Sequence, residues 1–311
     1  MRSFLLIVFG WPLLLFLLLS GLQLAQHYGL LPAPPAFVPA RRFVPRDGRA
    51  RAATALRKLD ALSVAERAAV LAGLRRDVIP LDRWLARLAR EPPTVLCLGE
   101  DHLDATRGFV AAQLLPRLHF DGLMLEATPR ELTEVASRVA AGERRAELLG
   151  ADAAVLLRAV RMAHPAVPVR GIDETVRQRS RRERRAPGTL RDGSLAQNFW
   201  SLYEPGKHYV VLFGALHCTP RRGWLYGRLL RGSRPGSGVQ AVAVRVIGAG
   251  RNEPTRAFVG FLVGSGLASP DTPLVIEHAD ALETRIRKWF PILRPSWESY
   301  RTVIIYPDPS S

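Results

Sequence analysis

The sequence predicts an α/β fold: a mostly parallel sheet flanked by helices, with an N-terminal helical segment and a single transmembrane or signal helix. Three observations carry this expectation. From residue 94 onward, short runs of apolar β-forming residues alternate with stretches of helical periodicity, as in a sheet covered on both faces. Each of the first four runs ends in titratable side chains, which in an open parallel sheet would share one edge. And residues 4–25, FLLIVFGWPLLLFLLLSGLQLA, carry no charge.

As a helix, residues 4–25 would span roughly 30 Å, the thickness of a bilayer core. The run exceeds the about 7 to 15 apolar residues of a signal-peptide core, and cleavage after Ala25 would leave Gln23 at a position that favours a small residue. A retained anchor, and so a membrane-associated protein, is the expectation. Its orientation stays open, because Arg2 precedes the run while Arg41, Arg42 and Arg46 follow it. Residues 26–46 hold Pro32, Pro34, Pro35, Pro39 and Pro45 and read as a semi-rigid linker. The folded domain is expected over residues 47–311.

Ser63-Val64-Ala65-Glu66 is a capping box that predicts a helix to about Arg76, and LDRWLARLAR, residues 81–90, predicts another before Pro92-Pro93. The strand runs follow at 94–99, 122–127, 167–173 and 208–217, with later candidates at 239–248, 257–264, 273–278 and 302–307. Helical periodicity covers 106–118, 130–141, 151–163 and 194–203.

The 311 residues are enough for one sizeable core. The net charge of +16 comes from 44 basic residues, of which only Lys58, Lys207 and Lys288 are lysine. The densest positive run, Arg177 to Arg185, lacks interleaved aromatic residues, so it reads as a solvated face and no nucleic-acid partner is expected. A basic lipid- or nucleic-acid-binding protein would use this run and would be indifferent to His102. Two cysteines, Cys97 and Cys218, cannot form a disulfide framework or a cysteine zinc finger. Cys97 reads as a small buried apolar group, and Cys218 stands beside a candidate site residue.

The first strand ends in Glu100 and His102, the second in Glu126, the third in Asp173 and Glu174, and the fourth in His217. Taken singly, each histidine is as readily a structural one, and Asp104 and Thr106 read as caps of the helix after the first strand. Convergence on one edge is what points to a site. A neutral imidazole can deprotonate water, a carboxylate can orient it, and an arginine can stabilise an oxyanion. Two histidines with one or two carboxylates could instead bind a divalent metal and acidify its water.

LGEDH at the first strand, LMLEATP at the second, LRDGSLAQNF at 190–199 and VLFGALH at the fourth resemble a superfamily that includes erythromycin esterases, ChaN-type haem-binding proteins and Tiki and TraB proteins. The likeness covers roughly residues 94–220, and its core is a Gly-Glu-x-His followed by a Gly-x-x-His. The resemblance implies Glu100, His102, Glu126 and His217 as site residues, with Arg191 and Asn198 in support. It implies a hydrolase acting on an ester or amide of a small molecule or peptide through histidine- or metal-activated water, the metal ligands then being Glu100, His102 and His217. It equally allows a non-catalytic haem- or metal-binding protein that uses the same edge. The chain beyond about residue 239 carries no matching motif.

Overall fold

The computed structural model describes residues 48–185, 190–232, 239–282 and 300–307, together with Arg285 and Trp297, all within one unit that runs from Arg46 to Ser311. The apolar run 4–25 and the linker 26–46 lie outside the described residues. Among the described residues no helix is long and apolar enough to cross a membrane. The expectation of a membrane-anchored, membrane-associated protein is corrected by that finding, and no membrane role enters the reading below.

The described chain opens with helices α1 (Gly48–Asp60) and α2 (Val64–Asp77), the latter started by the Ser63 and Glu66 capping box. A short strand β1 (Val78–Pro80) and helix α3 (Leu81–Arg90) follow. Helix α3 buries Leu81, Trp84 and Leu85, the spacing of a single helical face. Strand β2 (Val95–Glu100) leads into α4 (Asp104–Phe109), which continues as a π-helical turn to Leu114 and a 3-10 turn to Arg117. Then come β3 (Gly122–Leu125), α5 (Pro129–Ala140), a small hairpin of β4 (Glu147–Leu148) and β5 (Ala151–Asp152), α6 (Ala154–Ala163) and β6 (Val169–Gly171). The remainder is α7 (Val176–Arg185), α8 (Asp192–Leu202), β7 (Tyr209–Gly214), a 3-10 turn (Ala215–Cys218), α9 (Leu225–Gly232), β8 (Ala241–Gly248), α10 (Glu253–Gly264), β9 (Leu274–Glu277) and β10 (Thr302–Tyr306).

The eight-stranded sheet has the order β1-β9-β10-β8-β2-β7-β3-β6. Pairing is parallel from β10 through β6, and β9 is antiparallel to both of its neighbours. Alternation along the strands separates two cores. Val95 and Cys97 of β2 face the layer of α1, α8, α9 and α10, whereas Leu96 and Leu98 face α3, α5, α6 and the π-helical turn after α4. The α/β class and the mostly parallel sheet expected from sequence are present.

One strand expectation fails. Residues 257–264 form the end of α10, because Asn252 caps the helix by accepting from Thr255 N–H, Pro254 stands in its first turn, and Ala257, Phe258, Phe261 and Leu262 bury one helical face. An apolar run of eight residues is compatible with either period, and the cap decides it.

Chain order places the site. After β2 the chain leaves through α4 on one face and returns as β3 on the far side of β7. After β7 it leaves through α9 on the other face and returns as β8 on the far side of β2. Neighbouring strands whose connections diverge in this way open a crevice beyond their carboxyl ends. That crevice lies between Glu100 and Gly214, which pair across β2 and β7.

Phe199 of α8 is fully buried with its ring against Trp200, Tyr203 and Tyr209. Phe199→Ala is expected to lower stability by about 3–5 kcal/mol through lost transfer energy and a residual cavity, read as a reduced urea midpoint with an unchanged slope.

Candidate functional site

The crevice holds two imidazoles that converge on one carboxylate. His102 Nδ1 lies 3.1 Å from Glu100 Oε1 and its Nε2 lies 3.4 Å from Glu126 Oε2. His217 Nδ1 lies 2.7 Å from Asp192 Oδ1 and its Nε2 lies 3.5 Å from Glu126 Oε1. Glu126 also accepts the Gly214 N–H at 2.6 Å and a hydrogen bond from Arg191 Nη2. Arg191 donates through Nη1 to Asp173 Oδ2 at 2.6 Å, and its Nη2 stands 3.0 Å from His217 Nε2. Five of the six strand-end groups expected from sequence therefore meet: Glu100, His102, Glu126, Asp173 and His217, with Arg191 among them.

Glu174 does not join them. Its carboxylate turns to Arg182, at 2.9 and 3.0 Å, and accepts Ser194 Oγ at 2.8 Å, so it anchors α7. Asn198 has a supporting position: its Nδ2 donates to Ile172 O at 3.1 Å and Asp173 O at 3.2 Å, fixing the backbone after β6. Asp104 and Thr106 are not caps. Helix α4 has Leu103 at its N-cap with no side-chain hydrogen bond, while Asp104 accepts the Asp152 N–H and pairs with Arg145, and Thr106 Oγ1 bonds Tyr306 Oη. These acceptors and donors serve tertiary partners in place of the helix end.

Several site residues escaped the sequence reading. Asp192 orients His217, but it stands in the first turn of α8, where an acid is ordinary helix chemistry. Arg107 donates from Nε to Glu100 Oε1 at 3.0 Å and from Nη1 to Leu148 O and Ala151 O, each at 2.7 Å. It ties the β4-β5 hairpin to the site. Arg245, inside β8, donates to Gly99 O at 3.0 Å and to Asp101 Oδ1, and Arg251 holds the other Asp101 oxygen at 3.1 Å. Only the anomaly of an arginine inside the apolar run of β8 signalled it.

Backbone form explains both motif glycines. A Cβ on Gly99 would lie 2.5 Å from Tyr300 Oη and 3.1 Å from Ala215 Cα, and one on Gly214 would lie 2.8 Å from His102 Nε2. Between them His102 itself takes φ +51°, a left-handed conformation that costs a non-glycine residue roughly 1 kcal/mol or more. Asp101, clamped by its two arginines, holds the chain just before this residue.

Cys97 and Cys218, read separately in the sequence, are joined by a disulfide with Cα atoms 5.7 Å apart. It fastens the turn that bears His217 to β2, beside Glu100.

Acids and bases alternate through the crevice. Glu100, Glu126, Asp173 and Asp192 meet Arg107, Arg191 and the two imidazoles, Arg245 and Arg251 share Asp101 beside His102, and burial pushes the Asp173 carboxyl up. Burial works against charge on His102 more than any other single influence, yet hydrogen bonds and attraction from Glu100 and Glu126 together lift it to about 9. His217 is likewise opposed by burial and lifted to about 9 by Asp192 and Glu126. Burial also resists the charge on Glu126, but hydrogen bonds from His102, His217 and the Gly214 N–H hold it well below the usual carboxylate range. Arg191 can only donate, so at 3.0 Å it faces the Nε2 lone pair of a neutral His217, while Glu126 favours a proton there. The two neighbours oppose each other over one proton, and the carboxylates set the net direction upward.

The residues do not fit a metal as arranged. Both nitrogens of each imidazole are engaged within 3.5 Å, and Arg191 approaches both Glu126 and His217. Among the described residues no three histidine, cysteine, aspartate or glutamate side chains form a group able to hold a metal ion. The set Glu100, His102 and His217 considered from sequence is thus not a ligand set here. An axial haem ligand would meet the same obstacle, since it needs a free imidazole nitrogen. Compared with family models, with curated proteins and with solved structures, the chain matches none.

Three outcomes are expected. Because both histidine pKa values are raised above the unfolded value of 6.5, their stabilising contribution is complete below about pH 6.5 and is lost as the pH rises through about 9. Urea unfolding across that window should show the decline, and a flat profile would contradict the assigned proton positions. Glu126→Gln should move both imidazole titrations down toward 6.5 in NMR spectra. Cys97→Ala/Cys218→Ala should cost about 2–5 kcal/mol, and thiol labelling of the unfolded wild type should require a reductant.

Proposed function

We propose that this protein hydrolyses an ester or amide bond with histidine-activated water. The observation that carries the reading is the convergence of two imidazoles on Glu126, each with its other nitrogen held by a separate buried carboxylate. Such a pair can divide the labour of acid and base. The ordered Gly-Glu-x-His and Gly-x-x-His motifs, similar to those of the erythromycin esterase, ChaN, Tiki and TraB superfamily, support the same reading.

In this mechanism Asp192 fixes the tautomer and direction of His217 through Nδ1, leaving Nε2 to take a proton from water. His102, the more exposed of the two at 26% of its side chain, donates its proton to the departing alkoxide or amine. Arg191 stabilises the oxyanion of the tetrahedral intermediate while staying anchored on Asp173. Glu126 couples the two histidines, so that loss of a proton from one strengthens its hold on the other. They titrate as a pair.

The test is a screen of neutral esters and amides, followed by single substitutions. His217→Ala and His102→Ala should each lower kcat by about a hundredfold to ten-thousandfold. Since one histidine must be neutral and the other charged, kcat/KM should rise with pH from neutrality toward about 9. An optimum on the acid side of neutrality, or turnover indifferent to both substitutions, would sink the mechanism.

A further inference from the structure

Beside His102, one carboxylate stands between two guanidiniums. Arg245 of β8 pairs in register with Gly99 of β2, donates to Gly99 O and Val246 O, and reaches Asp101 Oδ1. Arg251, in the turn that follows β8, holds Asp101 Oδ2 through Nε at 3.1 Å. Among the described residues no second acid meets either arginine, and no acceptor meets Arg251 Nη1 or Nη2. Arg245 is buried, whereas the Arg251 side chain is 33% exposed. The charge that Asp101 leaves unmatched is therefore presented to solvent at Arg251.

Position makes this charge part of the crevice. Strands β2 and β8 are parallel neighbours, about 4.8 Å apart, with their carboxyl ends on the same edge. Asp101 is the residue before His102. The surrounding chain has the same sign: from Pro205 to Asn252, the stretch that supplies β7, the His217 turn, α9 and β8, there are eight basic residues and no acidic one. A guanidinium fixed through Nε offers its two Nη groups as a planar fork, which suits the oxygens of a carboxylate or phosphate. We infer that Arg251 determines specificity by receiving a carboxylate or phosphate on the departing half of the substrate. The inference rests on the hydrolase reading, in which His102 gives its proton to that half, and adds the substrate class to it. The class is an acyl ester or amide whose alcohol or amine carries an acidic group, as in an N-acyl amino acid.

The test has a kinetic arm and a binding arm. p-Acetoxybenzoate, p-acetoxyphenyl phosphate and methyl p-acetoxybenzoate share the acetyl group and differ in the charge of the departing phenol. In the wild type, KM for the better of the two anionic esters should lie at least about tenfold below that for the methyl ester, the worth of one charge-assisted contact. The gap should narrow with added salt. Arg251→Gln should bring the ratio to within about twofold, whatever it does to turnover of both, and Arg251→Lys should keep part of it. Arg228 is the comparison on the His217 side: it donates through Nε to Gly223 O at 2.9 Å and lies against Gly193, and Arg228→Gln should leave the ratio in place. Calorimetric binding of the three released phenols is measured in parallel, and the tighter of the two anions distinguishes carboxylate from phosphate. If no ester is turned over but an anionic phenol binds with the same dependence on Arg251, the hydrolase reading fails and the anion subsite stands. Equal KM and equal binding for charged and neutral compounds, a preference that survives Arg251→Gln, or one lost in Arg228→Gln instead overturns the inference.

Discussion

The ionised carboxylate of Glu126 is the group on which the site depends. It is buried, and burying a charge without partners would push it to the neutral form. Here the Gly214 amide, Arg191 and both histidines supply partners, and the price is that four chain segments must be held at fixed separations around it. A neutral acid at this position would leave each imidazole with one carboxylate where it now has two. The protonation of the pair is therefore a property of the whole assembly.

The sheet supplies the fixed separations. Glu126 follows β3, Gly214 ends β7 and Glu100 ends β2, and these strands are hydrogen-bonded neighbours in register. The approach of Glu126 to the Gly214 N–H and of His102 to the same residue requires that no side chain stand there. A methyl group at Gly214 would displace the imidazole before it touched the backbone. The motif glycines thus belong to this assembly as much as the histidines do, and the left-handed φ of His102 sets its ring against Gly214 of β7.

Much of this was legible because a parallel sheet makes edge position a matter of counting. Glu100, Glu126, Asp173 and His217 each stand at the end of an apolar run, and runs of that kind share an edge whatever their order in space. What the sequence hid were residues whose local role was already satisfied. Asp192 looks like a first-turn acid and Arg107 like a helix-surface cation, yet both are buried against histidine and glutamate. The hairpin at 147–152 was hidden because its strands are only two residues long. Residues 257–264 carry a pattern that fits a strand yet form a helix, because periodicity over eight residues does not separate the two. Cys97 and Cys218, 121 residues apart in sequence, become neighbours only when β7 is inserted beside β2, an order that the sequence does not announce.

The turn from Ala215 to Cys218 shows why the position of His217 follows the sheet and not a loop. Cys218 is bonded to Cys97 in β2, Tyr300 Oη donates to Ala215 O, Thr219 Oγ1 closes on Leu216 O at 2.9 Å, and Asp192 fixes the imidazole. Asp192 in turn accepts the Leu225 N–H at 2.6 Å, so the helix that leaves β7 is tied to the one that precedes it. On the opposite side of the crevice, His102 is held less directly, through Asp101 on Arg245 and Arg251 and through Glu100 on Arg107. The asymmetry suits an acid and a base with different tasks. In the hydrolysis proposed above, His217 as the base is held by four contacts around its own turn. His102 as the acid is the more exposed of the two, and its carboxylate partners are kept in place by Arg107 and Arg191.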